Sequence, residues 1–149
     1  MTQEEKDLLF KDLGGRIMYD VKCSVYEDTS VHTLSGVLPN YVYKELYFRE
    51  LDWKECDGFA DVQYCKPYLF PLSSMIEEQK YDFYCRFIEN DCDFDDFKEF
   101  YLDNGMWHKL LTSLDDTEAI IDWFHKNHFD YRGLIPMGLA NDATGLNIY

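Results

Sequence analysis

Between Arg16 and Tyr26 large apolar residues alternate with polar ones: Ile17, Tyr19, Val21, Cys23 and Val25 fall on one side, Asp20, Lys22 and Ser24 on the other. A period of two sends successive side chains to opposite faces, so this stretch predicts a half-buried strand. Ahead of it, Thr2 and Glu5 stand at capping-box spacing before a short helix with Leu8, Leu9 and Leu13 as its apolar side and Gly14-Gly15 as its end. Glu27 to Ser30 is a polar turn, and Val31 to Leu38 predicts a returning strand stopped by Pro39 and Asn40. Tyr41 to Glu50 alternates again with large residues on both sides. A charged connection, Leu51 to Gly58, then leads to a fourth strand, Phe59 to Cys65.

The period changes within Lys66 to Glu78, KPYLFPLSSMIEE. Pro67 and Pro71 have no amide donor, so the sheet is expected to stop here, and Ser74 with Glu77 repeats the capping-box spacing, so a helix is expected to begin. Ile76, Phe83, Tyr84, Phe87 and Ile88 predict a helix from Met75 to Ile88. Phe94, Phe97, Phe100 and Tyr101 predict another, capped by Asp93 and stopped at Asn104-Gly105. Met106 to Leu114 adds a turn or two, and Asp115 or Asp116 opens a last helix with Ile120, Ile121 and Phe124 facing inward. His128 to Tyr149 has no period and reads as a loop laid over the core by Phe129, Leu134, Ile135 and Leu139. The expectation is a single α+β domain over 1–149: an antiparallel sheet of about four strands, with three to four helices packed largely on one face. It divides into a helix plus sheet half (1–70), a helical half (71–127) and a C-terminal loop over the core (128–149).

Composition narrows the function classes. Hydrophobic residues make up 46% and aromatics 17%, which is too much apolar mass for a disordered chain. The 29 acids against 14 bases leave a formal charge of -15. Nucleic acid and anionic membranes need a positive face, so the charge argues against both and for a basic protein surface as partner. The first ten residues lack a basic segment followed by an apolar run, and no apolar run approaches the ~20 residues of a membrane span. Cys23, Cys56, Cys65, Cys85 and Cys92 contain no CxxC pair and suit free thiols in a reducing compartment. A cytoplasmic protein is expected.

Three strings carry a resemblance: KPYLFPLSSM followed by Glu77 and Glu78, HFDYRGLIPMGLA from His128 to Ala140, and EEKDLLFKDL from Glu4. Together they resemble a family of small acidic proteins of gut-dwelling anaerobic bacteria and their phages and other mobile elements, a family without an assigned activity. They cover about a third of the chain, and the acidic stretch from Tyr81 to Leu114 lies outside them. The resemblance implies a mobile-element protein but no chemistry.

The densest charge lies in Glu89 to Asp103, where Asp91, Asp93, Asp95, Asp96, Glu99 and Asp103 face Lys98 alone. On a helix, Asp95, Glu99 and Asp103 stand at i, i+4 and i+8, a row that imitates the regular charge of a nucleic-acid backbone. The plainer reading is a solvated face whose first turn is favoured by the helix dipole. Asp91, Asp93 and Asp95 occupy calcium-loop positions, but Asp96 and Leu102 stand where an EF-hand needs Gly and Glu. His125 and His128 are three apart without a third metal ligand, and His32 and His108 read as surface residues. Tyr131 and Arg132 are residue types that dominate binding hot spots, although Arg132 could equally pair with an acid and pin the loop. The binding candidates are therefore Asp91, Asp95, Glu99, Asp103, Tyr131 and Arg132. No metal or cofactor is expected, since the chain has no P-loop, GxGxxG or HExxH motif. The leading function is a non-enzymatic acidic interaction protein, acting as a nucleic-acid mimic or an inhibitor from a mobile element. One alternative is a small hydrolase or transferase with a site near Tyr68, His128 and Arg132. The other is an immunity- or antitoxin-like partner.

Overall fold

The computed structural model describes residues 1–26, 30–39, 44–49, 58–115 and 117–149. The parts of the expected second turn, third strand and charged connection that fall on 27–29, 40–43 and 50–57, together with Asp116, lie outside the described residues. The chain forms two compact units: Met1–Ser73 with Asp122–Tyr149, and Ser74–Ile121.

The first unit is built on a mixed sheet. Its strands are β1 (Lys22–Val25), β2 (His32–Pro39), β3 (Lys44–Phe48), β4 (Phe59–Asp61), β5 (Cys65–Pro71), β6 (Phe129–Asp130) and β7 (Asn141–Asp142). The order is β4-β3-β2-β1-β5-β6, with β7 also paired to β5. The pairings among β1 to β5 are antiparallel, as expected, but β6 and β7 join β5 in parallel. Among the described residues seven strands thus stand where about four were expected. Parallel neighbours need a long crossover, and here the connection from β5 to β6 contains the whole second unit.

Pro67 does not stop the sheet, because β5 runs through it, and the strand ends as expected at the second proline, Pro71. The bond from Tyr26 N to Tyr64 O (2.9 Å) marks that pair as hydrogen-bonded. By alternation Pro67, opposite Cys23, falls in a non-bonded pair where β1 asks for no amide.

The helix α1 (Gln3–Arg16) starts at the expected capping box: Glu5 N donates to the Thr2 hydroxyl (3.2 Å) and Thr2 N to the Glu5 carboxylate (2.6 Å). It does not end at Gly14-Gly15. It continues to Arg16 and through a 3-10 turn at Ile17–Tyr19, and the left-handed residue that closes it is Asp20 (φ 51°). The predicted strand is correspondingly shortened to Lys22–Val25. Leu9 and Leu13 of α1 pack with Val21, Cys23, Val25, Leu34, Leu46 and Leu69 in the core, and Leu134 and Leu139 of the last segment are buried in the same cluster. His32, expected on the surface, is buried edge-on against Phe48.

The second unit holds α2 (Glu77–Phe87), α3 (Phe94–Phe97) and α4 (Trp107–Ser113). The fifth helix, α5 (Glu118–Lys126), passes from the second unit's last residues into the first, so five α-helices are described against the expected three to four. Ser74 does not cap α2: the amide of Ile76 donates to the Gln79 side chain instead (3.0 Å). Asp93 caps α3 as expected, accepting from Asp95 N (2.8 Å), and Thr117 rather than an aspartate lies ahead of α5, its hydroxyl 3.4 Å from Ile120 N. No helix among the described residues is long and apolar enough to cross a membrane.

Candidate functional site

The second unit is an aromatic core in an acidic shell. Phe97 is fully buried and meets Tyr81, Tyr84, Tyr101 and Trp107 with ring centroids 5.1 to 6.0 Å apart, and Phe83 meets Trp107 at 6.0 Å. Such contacts contribute about 0.5–1.5 kcal/mol each beyond their buried area. The charge lies outside this core: Ser74–Ile121 carries 13 of the 29 acids against Lys80, Arg86, Lys98 and Lys109.

Beyond α3 the chain continues as a π-helix, Lys98–Asp103, to Asn104, where Gly105 takes φ +66°. A π-turn closes its bonds at i+5 and so holds more residues per turn. Phe97 and Tyr101 reach the core, but Phe100, one of the residues whose spacing predicted this helix, is left further round the axis and is 55% exposed. It lines two depressions. One, of about 360 Å³, is lined by Tyr84, Glu89, Asp91, Cys92, Asp93, Asp96, Phe100 and Tyr101. The other, of about 290 Å³, is lined by Asp96, Glu99, Phe100 and Asn104.

Asp91, Asp95, Glu99 and Asp103 are all exposed, and none has an ion-pair partner among the described residues. Lys98 is held by Glu77 (3.2 Å), which raises its pKa, with Asp103 and Asp95 adding to the effect. The nearest base of the row is thus already engaged. The row runs as α-helix only to Phe97 and as π-helix thereafter, so it is not one uniform ladder.

Tyr131 and Arg132 lie elsewhere, in a buried polar cluster of the first unit. Asp12 is fully buried and receives Arg16 Nε at 2.6 Å on one oxygen, with Arg16 Nη2 3.3 Å from the other. Arg16, also fully buried, gives a further bond to the carbonyl of Phe129 (2.8 Å). Arg132 Nε lies 3.2 Å and His125 Nε2 3.5 Å from Asp12 Oδ1, and Tyr131 Oη is 3.2 Å from the same imidazole nitrogen. Burial pushes the Asp12 carboxyl up, but its bond from His125 and the charge of Arg16 outweigh this, and it titrates below the ordinary value. Burial pushes the Tyr131 phenol up to about 12.

Both expectations for Arg132 bear on this geometry: it pairs with an acid, and that acid is inside the protein. Sequence reasoning missed Asp12, Arg16 and His125 as members. The signal was present in α1, where Leu9, Asp12, Leu13 and Arg16 share the i, i+3, i+4, i+7 stripe that faces inward. Gly15 completes the cluster, since a Cβ there would lie 2.2 Å from Cε1 of His125.

The two histidines are engaged separately. The His128 ring stacks on Tyr149 (centroids 3.7 Å apart), and the Tyr149 hydroxyl donates to the Tyr68 carbonyl (2.6 Å) while accepting from Lys22 N (3.1 Å). Tyr149 therefore stands between Tyr68 and His128. Burial, aided by the charge of Arg16, pushes His128 down to about 4. Of the six candidates, the structure brings Tyr131 and Arg132 together and puts Asp91, Asp95, Glu99 and Asp103 on the acidic unit. No protein-family model, no curated protein and no solved structure matches the chain.

Proposed function

We propose that the protein is a non-enzymatic interaction module of the cytoplasm whose acidic unit docks on a basic protein surface. The observation that carries this reading is Phe100: a large aromatic side chain, 55% exposed, that lines two depressions bordered by acids. Aromatic anchors ringed by polar groups dominate interface energetics, and an arginine or lysine of the partner entering either depression would meet carboxylates and the face of a π-system at once. The unpaired Asp91, Asp95, Glu99 and Asp103 supply the long-range field that speeds encounter and weakens with salt. A nucleic-acid-binding groove on a host or mobile-element protein fits the same charge, and the module would then inhibit by occupying it. The break from α- to π-helix favours docking around an aromatic anchor over imitation of an even phosphate repeat.

Tagged protein is used to capture partners from a lysate of the source cells, beside Phe100→Ala and the triple variant Asp95→Asn, Glu99→Gln, Asp103→Asn. A basic protein retained by the native chain, released by 0.5 M salt on the order of magnitude that screening predicts, and lost with both variants is the expected result. Equal capture by all three proteins at low salt would dispose of the reading.

A further inference from the structure

The buried cluster of the first unit holds more cation than its own acid can match. Arg16 and Arg132 approach the two oxygens of one carboxylate, that of Asp12, with Arg16 fully buried and the Arg132 side chain 20% exposed. Asp130 is close in sequence, but its two oxygens accept the amides of Leu134 and Ile135 (2.8 Å each) and it forms no ion pair with either guanidinium among the described residues. Buried charge is normally matched by a partner, because an uncompensated one costs several kcal/mol.

The donors show the same excess. Arg16 Nη1 is buried without a hydrogen-bond partner. Arg132 Nε, although 3.2 Å from Asp12, is not directed at it and is also unsatisfied. Both guanidiniums lie by the ring of Tyr131, their central carbons 6.0 and 4.7 Å from its centroid, so the two unspent N–H groups belong to one locality. Arg132 is the member that reaches the surface. Two planar forks around one aromatic ring are the arrangement that takes a carboxylate or phosphate group.

We infer that the Arg16–Arg132 cluster binds a small oxyanion, a carboxylate or phosphate group entering beside Arg132 over Tyr131. This site is independent of the acidic face and would survive the failure of that reading. The bound anion would be the cluster's second acid and complete what Asp12 begins, drawing the two guanidiniums into full pairing. Asp12 itself then acts against affinity, as a negative neighbour, while organising the forks that make it.

The test is thermal unfolding of the full chain in increasing inorganic phosphate or sodium acetate, each against sodium chloride at matched ionic strength. Phosphorus line broadening serves as a second readout for the phosphate arm. The expected result is a saturable rise in Tm above the chloride control with at least one of the two anions, the stronger arm naming the ligand class. Arg132→Gln, at a partly exposed position, should fold and lose that rise. Asp12→Asn should tighten binding by about tenfold or more, from removal of one like charge at contact range. Melting curves identical to the chloride control in both arms, or an anion effect undiminished in Arg132→Gln, would overturn the inference. If Asp12→Asn does not fold, the Arg132→Gln comparison decides alone.

Discussion

Two adjacent glycines in one helix should respond in opposite senses to the same substitution. At Gly14 the nearest atom to an added Cβ is Val37 Cγ2 at 4.0 Å, an ordinary contact. Gly14→Ala should therefore show only the gain in helix propensity, about 1 kcal/mol of stabilisation. At Gly15 the same methyl would lie 2.2 Å from Cε1 and 2.6 Å from Nδ1 of His125. The imidazole is 5% exposed and positioned against Asp12 and Tyr131, so it cannot swing aside without leaving both. Overpacking costs roughly 1–3 kcal/mol and each lost polar contact about 1 kcal/mol, against the propensity gain of about 1 kcal/mol. The net expectation is about 2–4 kcal/mol of destabilisation for Gly15→Ala, so the two variants should differ by roughly 3–5 kcal/mol. Urea unfolding monitored by circular dichroism reads this as opposite displacements of the midpoint at constant slope. In a His125→Ala background, Gly15→Ala should turn stabilising, because nothing then occupies the methyl's place. Equal effects at the two glycines, or a Gly15 cost that persists without His125, would refute the packing argument.

Asp12→Ala leaves Arg16 buried without its carboxylate and should cost about 3–5 kcal/mol in the same assay. Because the native Asp12 carboxyl titrates below its unfolded value of about 3.9, its contribution is complete above that pH and is lost as acid carries the protein down through the native value. Asp12→Asn should accordingly flatten the stability profile below about pH 4. His128 works higher: held down to about 4, it binds its proton in the unfolded chain first, so stability should fall as pH drops from about 6.5 to 4. That loss should be on the order of 1–2 kcal/mol after allowance for partial exposure, and His128→Asn, which tolerates the left-handed backbone (φ 58°), should remove the slope. Phe100→Ala should change stability by no more than about 0.5 kcal/mol, since most of the ring is already in water.

What the sequence made legible was whatever depended on neighbours in the chain. The Thr2–Glu5 box, the Asp93 cap and the buried alternation Val21, Cys23, Val25 needed only local geometry, and the structure has them. The errors share a cause, which is that a distant residue decided the matter. Gly14-Gly15 carried the composition of a helix end, but His125, 110 positions away, needs Gly15 inside a helix. Pro67 carried the composition of a strand end as Pro71 does, but pairing with β1 sets a register in which β5 extends across Pro67 and stops only at Pro71. The parallel edge itself was invisible, because Phe129–Asp130 and Asn141–Asp142 are two residues long and have no period to detect. Phe100 joins Phe97 and Tyr101 in one apolar set only on an α-helical count, and the segment winds as π.

The charge distribution ties the two sites together in a way that the net value hides. A formal -15 counts each of the 14 bases as if it screened the surface equally. Arg16 is sealed inside with Asp12, and Arg132 Nε lies 3.2 Å from the same carboxylate. Lys44, Arg49, Arg86 and Lys98 are each held by a particular acid, Asp7, Asp20, Asp82 and Glu77. These engaged bases act first on their own partners, and of the acidic row left over only Asp95 and Asp103 also feel one of them, Lys98. The carboxylates around Phe100 are among those left, so their field is stronger than an even spread of the same charges would give. If that is right, replacing a base already engaged elsewhere, such as Arg49→Gln, should hardly alter salt-dependent association through the acidic face. A new base beside Phe100, such as Asn104→Lys, should cut the association rate several-fold at low ionic strength and little at high. Stopped-flow rates against salt would separate the two, and equal sensitivity to both substitutions would mean that net charge alone, not its placement, governs encounter.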